Sequence, residues 1–400
     1  MGKSQLQLVY FAFICCFTIL SAVSASASAF TSSSLHPRSL SNLTRAKQQA
    51  TPAFSVATLQ SHHLSNGVFI DCVRLSPAND STSNSPSFAE ARARFPTASS
   101  GWRKLTKSAR AHFEAEVPTG CSLHPESMAV QRGDIFEDIV HIKIPESGLE
   151  HCYALYSSVS AGYFTGATST ISINTPSVQD GEISIAQIWV VVNREDDDNY
   201  STLEAGWIVY PEAFGDGDPR LFIFWTNDNY QHTGCFNRIC PGFVQTNTAW
   251  TLGEKFPSGA SIPGNADAQI SFYFGIFKDP NDGLWYFMID NTVVGHWDPT
   301  ILTNFQTNNA DEVQYGGEVQ VTQVGSPTQM GSGFPASNGF PWAAYMAEFG
   351  YTHESLDIVY FSPDEIGESV TDSELYQLSD VQVDDDGKAS VFFYGGWQGQ

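Results

Sequence analysis

From residue 139 to the end, the sequence is a succession of short runs of Val, Ile, Phe, Tyr and Trp, separated by Gly, Pro, Asn and Asp. Such runs are typical of β-strands, and the residues between them are typical of turns. The predicted strands are Ile139–Ile144, Ser169–Asn174, Ser184–Asn193, Leu203–Tyr210, Arg220–Trp225, Ala268–Phe277, Leu284–Ile289, Thr292–Trp297, Glu312–Val321, Ala343–Phe349 and Val391–Tyr394. Because helical periodicity is nearly absent here, the pattern predicts an all-β, antiparallel, jelly-roll-like sandwich.

The first 29 residues have the features of a secretory signal. A single positive charge at Lys3 precedes an apolar run over residues 6–23, and Ser-Ala alternation then continues to Ala29. A signal anchor is the alternative, since the run approaches membrane-spanning length, but the small residues at its end favour cleavage. We expect a protein that is soluble after cleavage and is secreted to the extracellular space or the vacuole. Glycosylation triplets at Asn42, Asn79 and Asn199 fit this route.

The remaining N-terminal segment differs from the strand-rich region in amino-acid composition and in net charge. Residues 30–65 are rich in Ser, Ala, Thr and Gln and predict a mobile leader, residues 68–75 predict a strand, and residues 88–116 have helical composition. Residues 1–133 carry a net charge of +6 and residues 134–400 carry −30. The contrast suggests that the basic segment docks on the acidic body and detaches when carboxylates are protonated. The alternative is an accidental contrast, since acidic surfaces are common in secreted proteins. The total charge of −24 argues against a nucleic-acid partner.

The cysteines predict at least one disulfide bond. Cys15 and Cys16 lie in the signal, which leaves Cys72, Cys121, Cys152, Cys235 and Cys240, an odd number. The best-supported pair is Cys235 with Cys240, because turn residues flank both and only four residues separate them. The pairing of the other three stays open.

Standard catalytic and cofactor motifs are missing from the sequence. It contains no Gly-Xaa-Ser-Xaa-Gly elbow, no His-Glu-Xaa-Xaa-His and no phosphate-binding glycine loop. None of the ten histidines has metal-ligand spacing. We therefore expect neither a metal nor a cofactor.

Two glutamates inside predicted strands are the candidate site. Strand alternation places Glu204 on one face with Gly206, and Glu318 on one face with Gly316. A glycine beside each glutamate removes the neighbouring side chain and leaves room for an extended ligand. Two carboxyl groups brought together have pKa values that are pushed apart, so one holds a proton while the other accepts one from water. Such a pair can perform acid-base hydrolysis without a nucleophile or a metal.

Motifs in the right order over about residues 150 to 350 resemble the neprosin family, a family of plant secreted proteins. They include Gln187-Ile188-Trp189-Val190, Leu203-Glu204-Ala205-Gly206-Trp207, Thr233-Gly234-Cys235-Phe236-Asn237, Gly295-His296-Trp297 and Tyr315-Gly316-Gly317-Glu318-Val319. Upstream, residues 67–73 resemble the family's propeptide strand, and His151-Cys152-Tyr153-Ala154 resembles the stretch that opens its catalytic domain.

The resemblance implies a secreted glutamic endopeptidase that is made as a zymogen and cleaves after proline. Activity is expected to peak in acid, because one carboxyl group must be protonated and because the charge contrast would hold the propeptide in place at neutral pH. It implies that Glu204 and Glu318 are the catalytic pair. It also implies a signal peptide at residues 1–29, a propeptide at 30–130 and a β-sandwich catalytic domain at 138–400. The expected partners are a peptide substrate and the chain's own propeptide, with no membrane after signal removal, and we expect a monomer.

Two assignments and two other functions stay open. Glu312 is a rival for the second catalytic role, since it shares the alternation face of Glu318, and only the Gly-Gly-Glu context favours Glu318. Gln187 is a candidate donor to a developing oxyanion, with a structural role as the alternative. A two-carboxylate glycoside hydrolase and a non-catalytic carbohydrate-binding module are the alternative functions.

Overall fold

The computed structural model describes residues 150–397, apart from 161, 194–199, 231–232, 240–241, 248, 291, 308 and 323–327, together with the backbone of three strands before residue 132. Several predictions fall outside these residues: the signal at 1–29, the helical segment at 88–116, the strand at 139–144, and the glycosylation triplets at Asn42, Asn79 and Asn199. They stay predictions.

The N-terminal strands form a small antiparallel sheet. Strands β1 (Phe54–His63), β2 (Phe69–Pro77) and β3 (Ser127–Gln131) are hydrogen-bonded in the order β1-β2-β3. The predicted strand at 68–75 is confirmed as β2. The prediction of a mobile leader up to residue 65 is wrong over β1, because β2 follows after a short connection and supplies the backbone partners that this polar-looking segment needs.

The rest of the described chain is a sandwich of two antiparallel sheets, as predicted. The first sheet contains seven strands: β4 (Glu150–Ser158), β6 (Ile183–Val192), β7 (Ser201–Val209), β8 (Arg220–Thr226), β9 (Cys235–Phe236), β14 (Glu312–Val321) and β17 (Ile366–Val370). Their spatial order is β17-β4-β14-β6-β7-β8-β9. This order places β14, β6 and β7 side by side in the middle of the sheet.

The second sheet contains ten strands: β5 (Gly166–Ser172), β10 (Phe243–Gln245), β11 (Ser271–Lys278), β12 (Trp285–Ile289), β13 (Thr292–Trp297), β15 (Ala344–Thr352), β16 (Ile358–Tyr360), β18 (Tyr376–Leu378), β19 (Gln382–Val383) and β20 (Ala389–Gly396). Its main path runs β10-β13-β12-β11-β5-β15-β20-β18, with β16 on β15 and β19 on β20. The helical elements are short: α1 (Pro211–Phe214), α2 (Thr303–Thr307) and 3-10 turns at Ala266–Ala268, Ala336–Asn338 and Pro363–Glu365. No helix in the described part of the chain is long and apolar enough to span a bilayer.

The core lies between the two sheets. Alternation along β7 sends Leu203, Ala205 and Trp207 into this core, where each is fully buried. The Trp207 indole Nε1 also donates to the carbonyl oxygen of Ser172 on the opposite sheet at 2.8 Å. Burial of large aromatic side chains on both sheets is the main stabilising contribution. The same alternation sends the residues between them, Glu204 included, to the other face of the seven-stranded sheet.

Candidate active site

Three adjacent strands carry the candidate site. Gln187 on β6 lies in register with Gly316 on β14 and with Gly206 on β7. Glu204 lies in the next row on one side of this glycine row, and Glu318 lies in the next row on the other side. All of these positions share one face of the sheet, because they differ by even steps along their strands.

The two glycines keep the row beside Gln187 free of side chains. A Cβ atom added to Gly206 would lie 1.9 Å from the carbonyl oxygen of Ala186, and one added to Gly316 would lie 2.4 Å from that of Ala154. A close approach of neighbouring backbone therefore requires both glycines. The expectation that the glycines also leave room for an extended ligand stays a prediction.

Gln187 lies between the rows of the two glutamates. Its Nε2 donates to Oε2 of Glu318 at 3.0 Å, and its side chain also opposes the rise in the pKa of Glu204. The amide group therefore contacts Glu318 directly and acts on the pKa of Glu204. The two roles weighed for Gln187, a donor to an oxyanion and a structural residue, both stay predictions.

Burial makes Glu204 a weak acid. Glu204 is 4% exposed and Glu318 is 6% exposed. Removal from water, followed by the negative charge of Glu318, raises the pKa of Glu204 to about 7. Hydrogen bonds from Tyr230 and Thr202 oppose this rise: each hydroxyl lies 2.7 Å from Oε1 of Glu204. Glu204 therefore keeps its proton in acid and begins to lose it near neutral pH.

Tyr230 reaches Glu204 from a strained turn after β8. Asn229 and Tyr230 have φ values of 55° and 58°, a conformation that residues other than glycine seldom adopt. The backbone N–H of Asn229 donates to the carbonyl oxygen of Tyr200 at 2.7 Å, which ties this turn to the start of β7. Sequence reasoning missed Tyr230, because no local pattern connects a turn residue to Glu204. Thr202 was detectable, since it lies two residues before Glu204 on the same strand face.

Glu318 has a second partner, His151 on the neighbouring strand β4. The distance between Nδ1 of His151 and Oε1 of Glu318 is 2.5 Å. Burial disfavours a charge on this imidazole, but the hydrogen bond to Glu318 and the charges of Glu318 and Glu204 raise the pKa of His151 overall. The sequence drew attention to His151 only as part of a family motif.

Glu312 is the first residue of β14 and lies on the same face of that strand as Glu318. Its Oε1 accepts a hydrogen bond from Nε2 of Gln314 at 2.7 Å, and burial raises its pKa. Tyr200 faces all three carboxyl groups: burial, and then the charges of Glu312, Glu204 and Glu318, raises the pKa of the phenol. The charge that acts on Glu204 is that of Glu318, so Glu318 is its electrostatic partner.

The remaining predictions for the site concern metals and disulfides. Among the described residues, no group of three or more His, Cys, Asp or Glu side chains is placed to hold a metal ion. Cys235 is disulfide-bonded, and Cys240, its predicted partner, lies outside the described residues. Two buried carboxyl groups that act on each other electrostatically, one of them with a pKa raised to about 7, can donate and accept protons in one reaction.

Comparison with solved structures gives distant likenesses. Two structures of scytalido-glutamic peptidase, one with a transition state analog inhibitor and one with a peptide-based transition state analog, are 10% and 13% identical. Each covers 62% of this chain, with 100% and 98% of the peptidase covered, at a TM-score of 0.32. The Ruminococcus gnavus IT-sialidase CBM40 bound to alpha2,6 sialyllactose is 9% identical over 44% of this chain and 93% of its own, with a TM-score of 0.21. Such low TM-scores carry no conclusion about function.

The comparison with family models is decisive for membership. The model described as Neprosin matches residues 180–397, a range that includes Gln187, Glu204 and Glu318. Because this range is more than half of the chain, the protein belongs to the neprosin family.

Proposed function

We propose that this chain is a glutamic peptidase in which Glu204 and Glu318 form the catalytic pair. The observation that carries the proposal is that three adjacent strands bring two buried carboxyl groups to one face of the sheet, on either side of the Gln187 row. Membership of the neprosin family supports it, since the family resemblance implies a glutamic endopeptidase.

In the proposed reaction, one ionised glutamate removes a proton from water, and the resulting hydroxide attacks the peptide carbonyl carbon. The other, protonated glutamate donates its proton to the leaving nitrogen as the C–N bond breaks. The products are a carboxylic acid and an amine, with no covalent intermediate. Gln187 positions Glu318, because its Nε2 donates to Oε2 of that carboxyl group.

Acidic working conditions follow from the protonated partner. Burial and the charge of Glu318 raise the pKa of Glu204 to about 7, so the fraction of enzyme with a protonated Glu204 falls as pH rises through this value. Activity is therefore expected to decline above about pH 7. Preference for cleavage after proline is proposed on the family resemblance alone.

We also propose that the full-length chain is a secreted precursor, with a signal at residues 1–29, a propeptide at 30–130 and the catalytic domain at 138–400. In the full-length chain the two glutamates are only 4% and 6% exposed. An extended peptide needs wider access than this to meet both carboxyl groups. Removal of the N-terminal segment is the proposed route to that access.

The test uses processed protein at pH 4 with a quenched, proline-containing peptide. Glu204→Gln and Glu318→Gln should each lower kcat/KM by at least about 100-fold, the usual contribution of a general acid or base. Glu312→Gln is the matched control, on the same strand face as Glu318, and should stay within about threefold of wild type.

A panel of polysaccharides run in parallel separates the alternatives. Release of sugar, blocked by the same two substitutions, would replace the peptidase with a glycoside hydrolase. Sugar binding without turnover of either substrate would indicate a binding module. Equal loss of peptide cleavage in Glu312→Gln and Glu318→Gln would reject the assignment of the second glutamate.

A further inference from the structure

We propose that His151 is a positioning residue that keeps Glu318 ionised, which makes Glu318 the base and Glu204 the acid. The inference rests on the proposed function, because it assigns roles within the same pair. Both residues are glutamates, so the roles of acid and base must be assigned from the groups that surround each carboxyl group.

The imidazole ring of His151 contacts the carboxyl group of Glu318. It lies opposite Gln320 on β14 and reaches diagonally to Glu318, two residues away. Nδ1 of the ring lies 2.5 Å from Oε1 of Glu318. The other ring nitrogen, Nε2, is buried and has no hydrogen-bond partner within the described chain. The hydrogen bond to Glu318 therefore holds the ring without a competing acceptor.

The partners of Glu318 favour its ionised form. The amide N–H of Gln187 points at Oε2, and the ring nitrogen of His151 points at Oε1. An amide N–H and an imidazolium N–H donate and never accept, so a carboxyl group between them is most stable as a carboxylate that accepts from both.

The partners of Glu204 tolerate its protonated form. Oε1 of Glu204 contacts the hydroxyl groups of Thr202 and Tyr230. A hydroxyl group both donates and accepts, so these contacts survive when Glu204 carries a proton. The two glutamates thus differ in the kind of hydrogen-bonding group that each carboxyl group contacts.

The charges around His151 act in the same direction. Glu318 faces it from β14, Glu204 faces it from β7, and the Tyr153 ring on its own strand stacks against it at 6.2 Å between centroids. On the outer side of β4, Glu368 of β17 pairs with Tyr156, further along the strand. Burial opposes a charge on His151, but the hydrogen bond and the two carboxylates outweigh it and raise its pKa. A cation beside Glu318 and a proton on Glu204 are therefore compatible at acidic pH.

The first experiment measures the pH profile of kcat for processed His151→Gln. The variant loses the donor at Oε1, from which the carboxylate form of Glu318 accepts, so kcat should fall most on the acid limb of the profile, by about tenfold at the lowest pH values. The alkaline limb, set by Glu204, should move much less, and KM should stay within about twofold. His353→Gln is the matched control, because His353 is exposed and its Nδ1 contacts the backbone oxygen of Tyr163 rather than a carboxyl group. Its profile should equal that of wild type.

The second experiment needs no activity. NMR titration of the His151 ring should give a pKa above the ordinary value of about 6.5, and the pKa should fall in Glu318→Gln. A loss of kcat in His151→Gln by the same factor at every pH, or a His151 pKa at or below the ordinary value, would overturn the proposal. If no peptide is cleaved by wild type while the titration behaves as expected, the proposed function fails and the His151–Glu318 pair stands.

Discussion

At the scale of single residues, burial of Glu204 makes the free energy of unfolding depend on pH. Its pKa rises from the ordinary value of 4.5 to about 7, mainly because it is buried. The folded state therefore binds this proton more tightly than the unfolded state does. The resulting contribution to stability is complete below pH 4.5 and is lost as pH rises to about 7.

Glu204→Gln should remove this pH dependence, because glutamine has the shape of a protonated glutamate and no charge. We expect a free energy of unfolding that is higher than in wild type by about 3 kcal/mol at pH 8, and little changed at pH 4. Denaturant titration at both pH values measures it, with the exposed Glu374→Gln as the control. An equal change at the two pH values would show that burial of the charge is not the cause.

The sequence predicted the pair of glutamates but not their surroundings. Alternation and the nearby glycines selected Glu204 and Glu318, because both signals are local to one strand. Tyr230 comes from a turn, and His151 comes from a strand separated from Glu318 by more than 150 residues. Contacts of this kind depend on strand order, which no local pattern encodes.

At the scale of elements, strand prediction succeeded where strands are long and apolar. Thr292–Trp297 and Glu312–Val321 were predicted with the observed bounds. Strands of two or three residues such as β9, β16 and β19 were missed, because so few residues give no measurable alternation. They lie at or near the edges of the sheets, where neighbouring strands rather than local sequence fix the extended backbone.

Gly206 affects both the packing of β6 against β7 and the candidate site, because it lies opposite Gln187. Gly206→Ala would bring a Cβ to 1.9 Å from the backbone oxygen of Ala186, so β6 and β7 would have to separate. We expect a loss of at least about 3 kcal/mol in the free energy of unfolding and a displacement of Gln187 from Glu318. Thermal unfolding and peptide cleavage measure the two effects.

The matched control is Gly217→Ala, where an added Cβ meets no atom within 4 Å. This variant should be neutral or slightly more stable, because alanine restricts the unfolded chain. If both substitutions had the same effect, the close approach of β6 and β7 would not explain the glycine in β7.

At the scale of the whole molecule, charge divides the chain in two. Residues 1–133 carry +6 and residues 134–400 carry −30. The small sheet at the N-terminal end contacts the sandwich where β3 meets α1. Opposite charges attract at neutral pH, and the attraction weakens as the carboxylates of the body are protonated near pH 4.

Release of the N-terminal segment should therefore depend on pH and on salt. In the full-length chain, hydrogen exchange in β1, β2 and β3 should be slow at pH 7 in low salt, and faster at pH 4 after correction for intrinsic rates. About 1 M salt at pH 7 should reproduce part of the change, because it shortens the screening length to about 3 Å. Lys104→Glu combined with Lys107→Glu should make exchange faster at pH 7, whereas the uncharged changes Lys104→Gln and Lys107→Gln should have about half that effect. If exchange responds to neither salt nor charge reversal, apolar packing holds the segment and its release requires cleavage alone.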